Sequence, residues 1–529
     1  MTSQVKSAAV TGEALRTGEA LRTGETAPAG SGAPAAQPSP GPPGRAARWR
    51  GGAAAALRRH WLAAGLLGAG LVLRVLAQLA YRPALFYIDT HRYLYNADGN
   101  DPVGYKGPLR AILLVSNFDA VAAVQHLLAL AMAAGIYVLL LRRGAPRWLA
   151  ALAIAPVLLD AYQVQTEQTI MPGTWFGALI VAGLAILLWR PKASWRAVIA
   201  AGVVLGTSAT FAQVGEVLVV PAVIYLLAAG GGWRQAAGKA GALCAAFALP
   251  ILTYCAGSYL ITGDFFLSHS GVTSFYGRMA AAADCPTLRL PAAERGMCPA
   301  RAQQALGSDW LEYGAGSPIR PYYADLPRAE TDQLISDFDH RVLTQQPLRV
   351  AGAYSRDVVK LFALTRTTSP GDAPISRWQF QTSFPYYPPH ASVQVVRTAV
   401  SRFGGGMPAV WRPVAVFLRS YQLGGGYTPG PLLALFTVAG LAGSVAGLRR
   451  RADPLIRQLG LACLLLSGSA VTVLLASDLF EFSWRYQLLA LVTLVPAGAL
   501  GIGVIVRSVR ARRSPTGVLP PGLVPPSGG

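Results

Sequence analysis

The chain has 529 residues, of which 53% are hydrophobic and 13% charged, where a soluble domain carries roughly 25% charged residues. Lys and Arg outnumber Asp and Glu by 46 to 25, a formal net charge of +21. These values exclude an ordinary soluble enzyme and a mainly disordered chain, and they point to an all-α polytopic membrane protein.

Residues 1–60 are low in complexity. TGEALR occurs twice from Thr11 onward and begins a third time; Ala, Pro and Gly follow, then Arg45, Arg48, Arg50, Arg58 and Arg59. Such a segment cannot build a core and reads as a disordered basic cytoplasmic tail. It is not read as a signal peptide, because its apolar run starts too late and no small-residue cleavage site follows.

Ten apolar segments come next, at 61–80, 120–141, 148–164, 170–189, 195–213, 217–230, 238–261, 429–448, 456–476 and 487–506. Each has about the length needed to cross hydrocarbon, or falls a little short of it. Basic residues follow every second segment: Arg142, Arg143 and Arg147; Arg190, Lys192 and Arg196; Arg234 and Lys239; Arg449, Arg450, Arg451 and Arg457; Arg507, Arg510, Arg512 and Arg513. The short turns on the other side, Asp160–Thr169, Gln213–Glu216 and Ser477–Trp484, are acidic or polar. The positive charge therefore marks cytoplasmic loops rather than a nucleic-acid surface, and both termini are expected inside. The domain plan is a tail at 1–60, spans one to seven at 61–261 with an outer loop at 81–119, an extracytoplasmic domain at 262–428, spans eight to ten at 429–506, and a Pro/Gly-rich, disordered cytoplasmic tail at 507–529. Abundant Ala, Gly, Pro and Arg with scarce Lys has the look of a high-GC bacterial genome, so a bacterial plasma membrane is the expected location.

Long outer segments usually carry function. In the larger one, helical stretches are expected near Pro299–Tyr313 and Ala329–Leu364. Leu334, Ile335, Phe338, Val342 and Leu343 recur there at helical spacing, and Val358, Val359, Leu361 and Phe362 suit a membrane surface. Of five cysteines, Cys244, Cys255 and Cys463 fall in spans. Cys285 and Cys298 lie outside, where they form either a disulfide closing a small loop or two unpaired thiols.

The smaller outer loop concentrates the chemistry: Phe86-Tyr87-Ile88-Asp89-Thr90-His91-Arg92-Tyr93-Leu94-Tyr95, then Asp98-Gly99-Asn100-Asp101 and Tyr105-Lys106-Gly107-Pro108-Leu109-Arg110. A carboxylate at the membrane face can take a proton from a hydroxyl nucleophile, and nearby cations can hold a phosphate. The bland alternative is an aromatic belt with interfacial Arg and Lys anchors. Arg74, inside the first span, is either functional or snorkels to the outer headgroups. Asp160 and Glu167 flank an outer turn; Glu167 is a candidate second acid toward the acceptor or Lys106, or else part of a solvated turn. Glu216 opens the sixth span, where it favours a helix N-terminus. Gln125 and His126 suit polar contacts within the core. No resident cofactor is indicated. Asp98–Asp101 supplies oxygen ligands of the kind a divalent metal takes, although turn residues explain themselves without one. Asp337-Phe338-Asp339-His340 imitates a metal-binding DxD, but residues two apart on a helix do not share a face.

The residues Asp89, Tyr93, Tyr105, Lys106, Pro108 and Leu109 resemble the first outer loop of GT-C glycosyltransferases that use lipid-phosphosugars, such as protein O-mannosyltransferases and the aminoarabinose transferase of lipid A. The turn Phe482-Ser483-Trp484-Arg485-Tyr486 is similar to the Arg-Tyr before a late span in these enzymes. The motif covers some 30 residues and the layout 61–506. Those families often carry paired Asp-Glu where this chain has Asp89-Thr90, which leaves one carboxylate as base. The resemblance implies a GT-C-like fold and a polyprenyl-phosphate monosaccharide donor. It also implies inverting transfer to an extracytoplasmic hydroxyl on protein, lipid or wall polymer. Asp89 is then the base; Arg485, Lys106 and Arg92 face the phosphate; and Tyr93, Tyr105, Tyr486, Glu167 and Arg74 complete the substrate site. The rival readings are a transporter or flippase of lipid or envelope glycan, and a non-catalytic scaffold. No repeat relates the two halves, and few charges fall mid-span, which argues against a transporter.

Overall fold

The computed structural model describes residues 55, 57–95, 104–449 and 453–513. The expected N-terminal tail up to residue 54, the C-terminal tail after 513 and the turn Asp98–Asp101 lie outside the described residues. What remains is helical apart from one two-residue strand pair.

Helices coincide with all ten apolar segments. Six are long and apolar enough to cross a membrane: Trp61–Ala80, Phe118–Arg142, Trp233–Thr262, Gly430–Arg449, Pro454–Phe480 and the final helix from Trp484. A seventh span arises if Arg147–Leu159 and Ala161–Gln168, bent by 51°, count as one. Gly173–Leu188, Trp195–Ala209 and Gln213–Ala228 are apolar but shorter. The chain is thus an all-α, multi-pass membrane protein.

The bend has a clear cause. Pro156 interrupts the ladder of the first half, and Asp160 then caps the second by accepting from the backbone of Tyr162 (3.0 Å) and Gln163 (3.4 Å). Expected as an outer turn, Ala161–Gln168 is instead a helix with every residue buried. Asp160 is buried too. It pairs with Arg366 at 3.1 Å and accepts from the backbone of Thr428 at 2.8 Å, so it ties this bend to the outer domain. The last three spans pack through small residues. A Cβ on Gly443 would lie 2.5 Å from the Cα of Gly501, and one on Gly447 would lie 2.5 Å from that of Gly460.

The first outer loop is held at three places. Tyr81–Arg82 pairs antiparallel with Ala409–Val410. The backbone of Leu85 donates to Gln168 (3.0 Å) and accepts from Ile170 (2.9 Å). Gly104 donates to Thr210 at 2.7 Å, an approach only glycine permits, since a Cβ there would sit 2.4 Å from the Thr210 oxygen. Short helices at Thr90–Tyr95 and Lys106–Val115 complete the loop.

The outer domain is mainly helical. Ser270–Ala282, Gly307–Tyr313, Arg328–Gln345 and Pro347–Lys360 surround a core of Tyr276, Met279, Leu311, Ile335, Phe338 and Val342. The expected second helix therefore breaks at Gln346-Pro347, because Pro347 has no N–H to continue the ladder. Val359 and Leu364 are exposed and Leu361 is buried. Cys285 and Cys298 are disulfide-bonded, with Cα atoms 5.9 Å apart. Asp337 is half-buried and accepts from Gln333, while Asp339 is buried, so the DxD lookalike does not converge.

Candidate active site

The turn before Thr90–Tyr95 is folded by its own residues. The Thr90 hydroxyl accepts from the Tyr87 backbone (2.9 Å) and donates to the Ile170 carbonyl (3.0 Å). Asp89 is thereby fixed at the start of the helix, beside the first turn of the last span. Its carboxylate lies 3.7 Å from the Arg485 guanidinium and 3.8 Å from that of Arg92. Residues from opposite ends of the chain, singled out in two different outer loops, thus meet at one point. Arg485 also lies 4.0 Å from Glu481 and donates to the Tyr486 hydroxyl at 3.2 Å; that hydroxyl donates to Glu481 at 3.2 Å.

Aromatic rings frame this cluster. Tyr87 packs on Trp378 with centroids 4.6 Å apart, and the Arg485 guanidinium lies over Trp378 at 5.4 Å. Arg92 lies over Tyr313 at 5.5 Å. Arg377 reaches both the Tyr87 hydroxyl and Asp309 at 3.4 Å. Burial raises the Tyr87 hydroxyl, with Asp89 adding to the effect, and the phenol stays neutral. Glu481, only 16% exposed, is pushed up to about 7 by burial and by Asp309, against the pull of Arg485.

The cluster opens into a cavity of about 650 Å³ lined by two unlike sets of residues. Asp309, Glu312, Ser270, Ser274, Arg320 and Arg377 line the side toward the outer domain. Met132, Phe176, Phe211, Leu488, Leu489 and Val492 line the other, between apolar helices.

Asp89, Arg92, Tyr93, Arg485 and Tyr486 all line this cavity; the other expected substrate residues do not. Tyr105 is fully buried, its hydroxyl donating to Gln125 at 2.8 Å and its ring packed edge-on to Tyr93. Lys106 stands behind it, at the start of its own helix and beside Arg110, its ammonium lowered by burial and by that arginine. Arg74 and Glu167 form a buried ion pair at 2.8 Å inside the helix bundle. Arg74 also donates to the carbonyls of Gly70, Val157 and Leu158, so it neither snorkels outward nor meets the cavity. Glu167 accepts from Gln163 (3.0 Å) and bonds His126 (3.0 Å). This belongs to the core polar contacts expected for Gln125 and His126, and it draws in a residue expected at the surface. Glu216 is exposed.

Several cavity residues escape the sequence reading: Tyr87, Asp309, Arg377, Trp378 and Glu481. Only Glu481 had an available signal, as the acid of the turn that also holds Arg485. Arg377 and Trp378 sit in an irregular stretch with no periodicity to mark them. Among the described residues, no three of His, Cys, Asp and Glu group as metal ligands.

No family model matches the sequence, and no curated protein matches it either. Three solved structures are similar to it in fold. One is the S. cerevisiae protein O-mannosyltransferase Pmt1-Pmt2 complex bound to the sugar donor, at 15% identity and a TM-score of 0.31, over 42% of this chain and 36% of that one. Another is the oligosaccharyltransferase AglB from Archaeoglobus fulgidus in complex with an inhibitory peptide and a dolichol-phosphate, at 12% and 0.37, over 86% and 52%. The third is the apo form of the A. fulgidus oligosaccharyltransferase, at 12% and 0.39, over 85% and 51%. The chain thus spans between 36% and 52% of the length of these solved chains.

Proposed function

We propose that this protein is a GT-C-type membrane glycosyltransferase that moves a monosaccharide from a polyprenyl-phosphate donor to an extracytoplasmic hydroxyl, with inversion. The observation that carries the reading is that the ionic cluster of Asp89, Arg92 and Arg485 lines one cavity together with apolar residues of the helices and polar residues of the outer domain. A lipid tail suits the apolar lining, a phosphate suits the two guanidinium groups, and the acceptor suits the polar lining.

The chemistry balances with these groups. Asp89 takes the proton of the acceptor hydroxyl, whose oxygen forms a bond to the anomeric carbon. The bond from that carbon to the phosphate oxygen breaks, and polyprenyl phosphate leaves with the electron pair. Arg485 and Arg92 neutralise the charge that grows on the leaving phosphate; removing one such preorganised group costs about 3 kcal/mol in the barrier. A single displacement inverts the anomeric configuration. The basic loops support a reading with both termini in the cytoplasm and the cavity outside, and a bacterial plasma membrane fits the composition.

The test is a transfer assay on purified full-length protein with a panel of polyprenyl-phosphate sugars and scored release of polyprenyl phosphate. Release that depends on both acceptor and Asp89 supports the reading. Movement of the lipid across vesicles without release supports a flippase instead.

A further inference from the structure

Buried polar atoms nearly always find partners, and each exception calls for an explanation. Four exceptions fall on the wall of the cavity: the Thr174 hydroxyl, on the helix Gly173–Leu188, and three more. The indole N–H of Trp378 and the hydroxyls of Ser477 and Ser483 are buried, with the residues 2%, 4% and 1% exposed, and none has a hydrogen-bond partner. The contrast with Trp484 is instructive, since its indole N–H donates to the Thr367 carbonyl at 2.9 Å. The two serines bracket Glu481 in the last outer turn, and Trp378 lies under the Arg485 guanidinium. The unpaired groups are neutral and share the cavity wall with the cations rather than replacing them.

That pattern suits a ligand rich in hydroxyls attached to an anion. We propose that Trp378, Ser477 and Ser483, with Glu481 between the serines, form the subsite that grips the hydroxyls of the transferred sugar and sets which sugar is accepted. The inference rests on the glycosyltransferase reading above and goes further by assigning sugar choice to the last outer turn. Neutral donors and a carboxylate can read the position of ring hydroxyls. A site built to bond a hydroxyl rejects an analogue lacking it, because its own buried groups are then left unpaired.

The experiment uses full-length protein carrying Trp378→Phe, Ser477→Ala or Ser483→Ala. Trp378→Phe keeps an aromatic ring beside Tyr87 and Arg485 while removing the N–H and part of the ring's bulk, so the comparison between donors rather than the absolute loss is read. Two quantities are read: affinity for sugar-free polyprenyl phosphate, and kcat/KM across donors that differ in one ring hydroxyl. The variants are expected to lose up to about tenfold on the preferred donor, little on the donor lacking the matching hydroxyl, and nothing in affinity for the sugar-free lipid. An equal loss on every donor, or a parallel loss of sugar-free lipid binding, overturns the subsite. Wild-type protein that binds no polyprenyl phosphate overturns the donor reading itself, a separate result.

Discussion

Two ionic clusters draw on the first span and the loop that follows it, one through Arg74 and the other through Asp89, yet they are built in opposite ways. Around Glu167 the contacts are short and closed: Arg74 at 2.8 Å, Gln163 and His126 at 3.0 Å, and three backbone carbonyls on the same guanidinium. Around Asp89 the contacts are long, 3.7 to 4.0 Å, shared between two acids and two arginines, and open to a cavity with unpaired donors on its wall. The first cluster has used most of its hydrogen-bonding capacity on the protein, Arg74 Nε being buried without a partner. The second has kept much of it in reserve. A buried charge is therefore weak evidence of a site; incomplete pairing next to space is better evidence.

The sharpest way to break this comparison is at the two carboxylates. Asp89→Asn keeps shape and some hydrogen bonding but cannot take a proton, so transfer should fall by about 10²–10⁴-fold, with thermal stability and donor affinity nearly unchanged. Glu167→Ala should do the reverse. It strands Arg74 among apolar helices, and breaking a buried pair from one side costs about 3–5 kcal/mol. The expected result is a large drop in melting temperature in detergent, with surviving protein still able to bind donor. Normal stability with lost transfer in Glu167→Ala would move the closed cluster into the active site.

A smaller effect tests the shared cation. Arg485→Ala removes a charge that faces the donor phosphate both before and during the reaction. Apparent donor affinity and turnover should both decline, together by about 10²-fold in kcat/KM. Unchanged KM with lowered kcat would mean that Arg485 meets charge only in the transition state. Lys106→Ala, by contrast, should leave donor affinity alone, because Lys106 stands outside the cavity.

The contrast between the clusters also explains what the sequence could and could not reveal. Hydropathy located all ten helical segments, because burial in lipid imposes a composition that survives without knowledge of packing. It could not reveal that Ala161–Gln168 is buried, since a polar helix sealed by its own bundle reads like a turn. Asp89 and Arg485 were legible through a resemblance in two short loops. Tyr105 and Lys106 carry the same resemblance yet do not line the cavity: Tyr105 is buried against Gln125 and Tyr93, and Lys106 opens the next helix beside Arg110. Trp378 and Arg377 were not legible. Their stretch has no period, and only the fold brings it over Tyr87.

The smallest expected effect concerns the proton on Glu481. The carboxyl faces Asp309, Asp89, Arg485, Arg377 and the Tyr486 hydroxyl, and burial holds it at about 7. Below that pH it is neutral, and Arg485 is free to face a phosphate. Above it, the ionised carboxylate competes for the same guanidinium. A polyprenyl-phosphate sugar is a phosphodiester and stays anionic throughout, so its arrival adds negative charge beside Glu481 and favours the protonated form. Binding then takes up a proton, and linkage requires affinity to weaken as pH rises through about 7, by at most about tenfold per pH unit. Affinity should be flat below about pH 6. Glu481→Gln should remove the slope and bind at high pH as the wild type does at low pH. Equilibrium binding of donor across this range decides the matter: a flat wild-type profile would mean that the phosphate and Glu481 do not share Arg485, and the open cluster would then be divided between Asp89 and Arg92 on one side and Glu481 on the other.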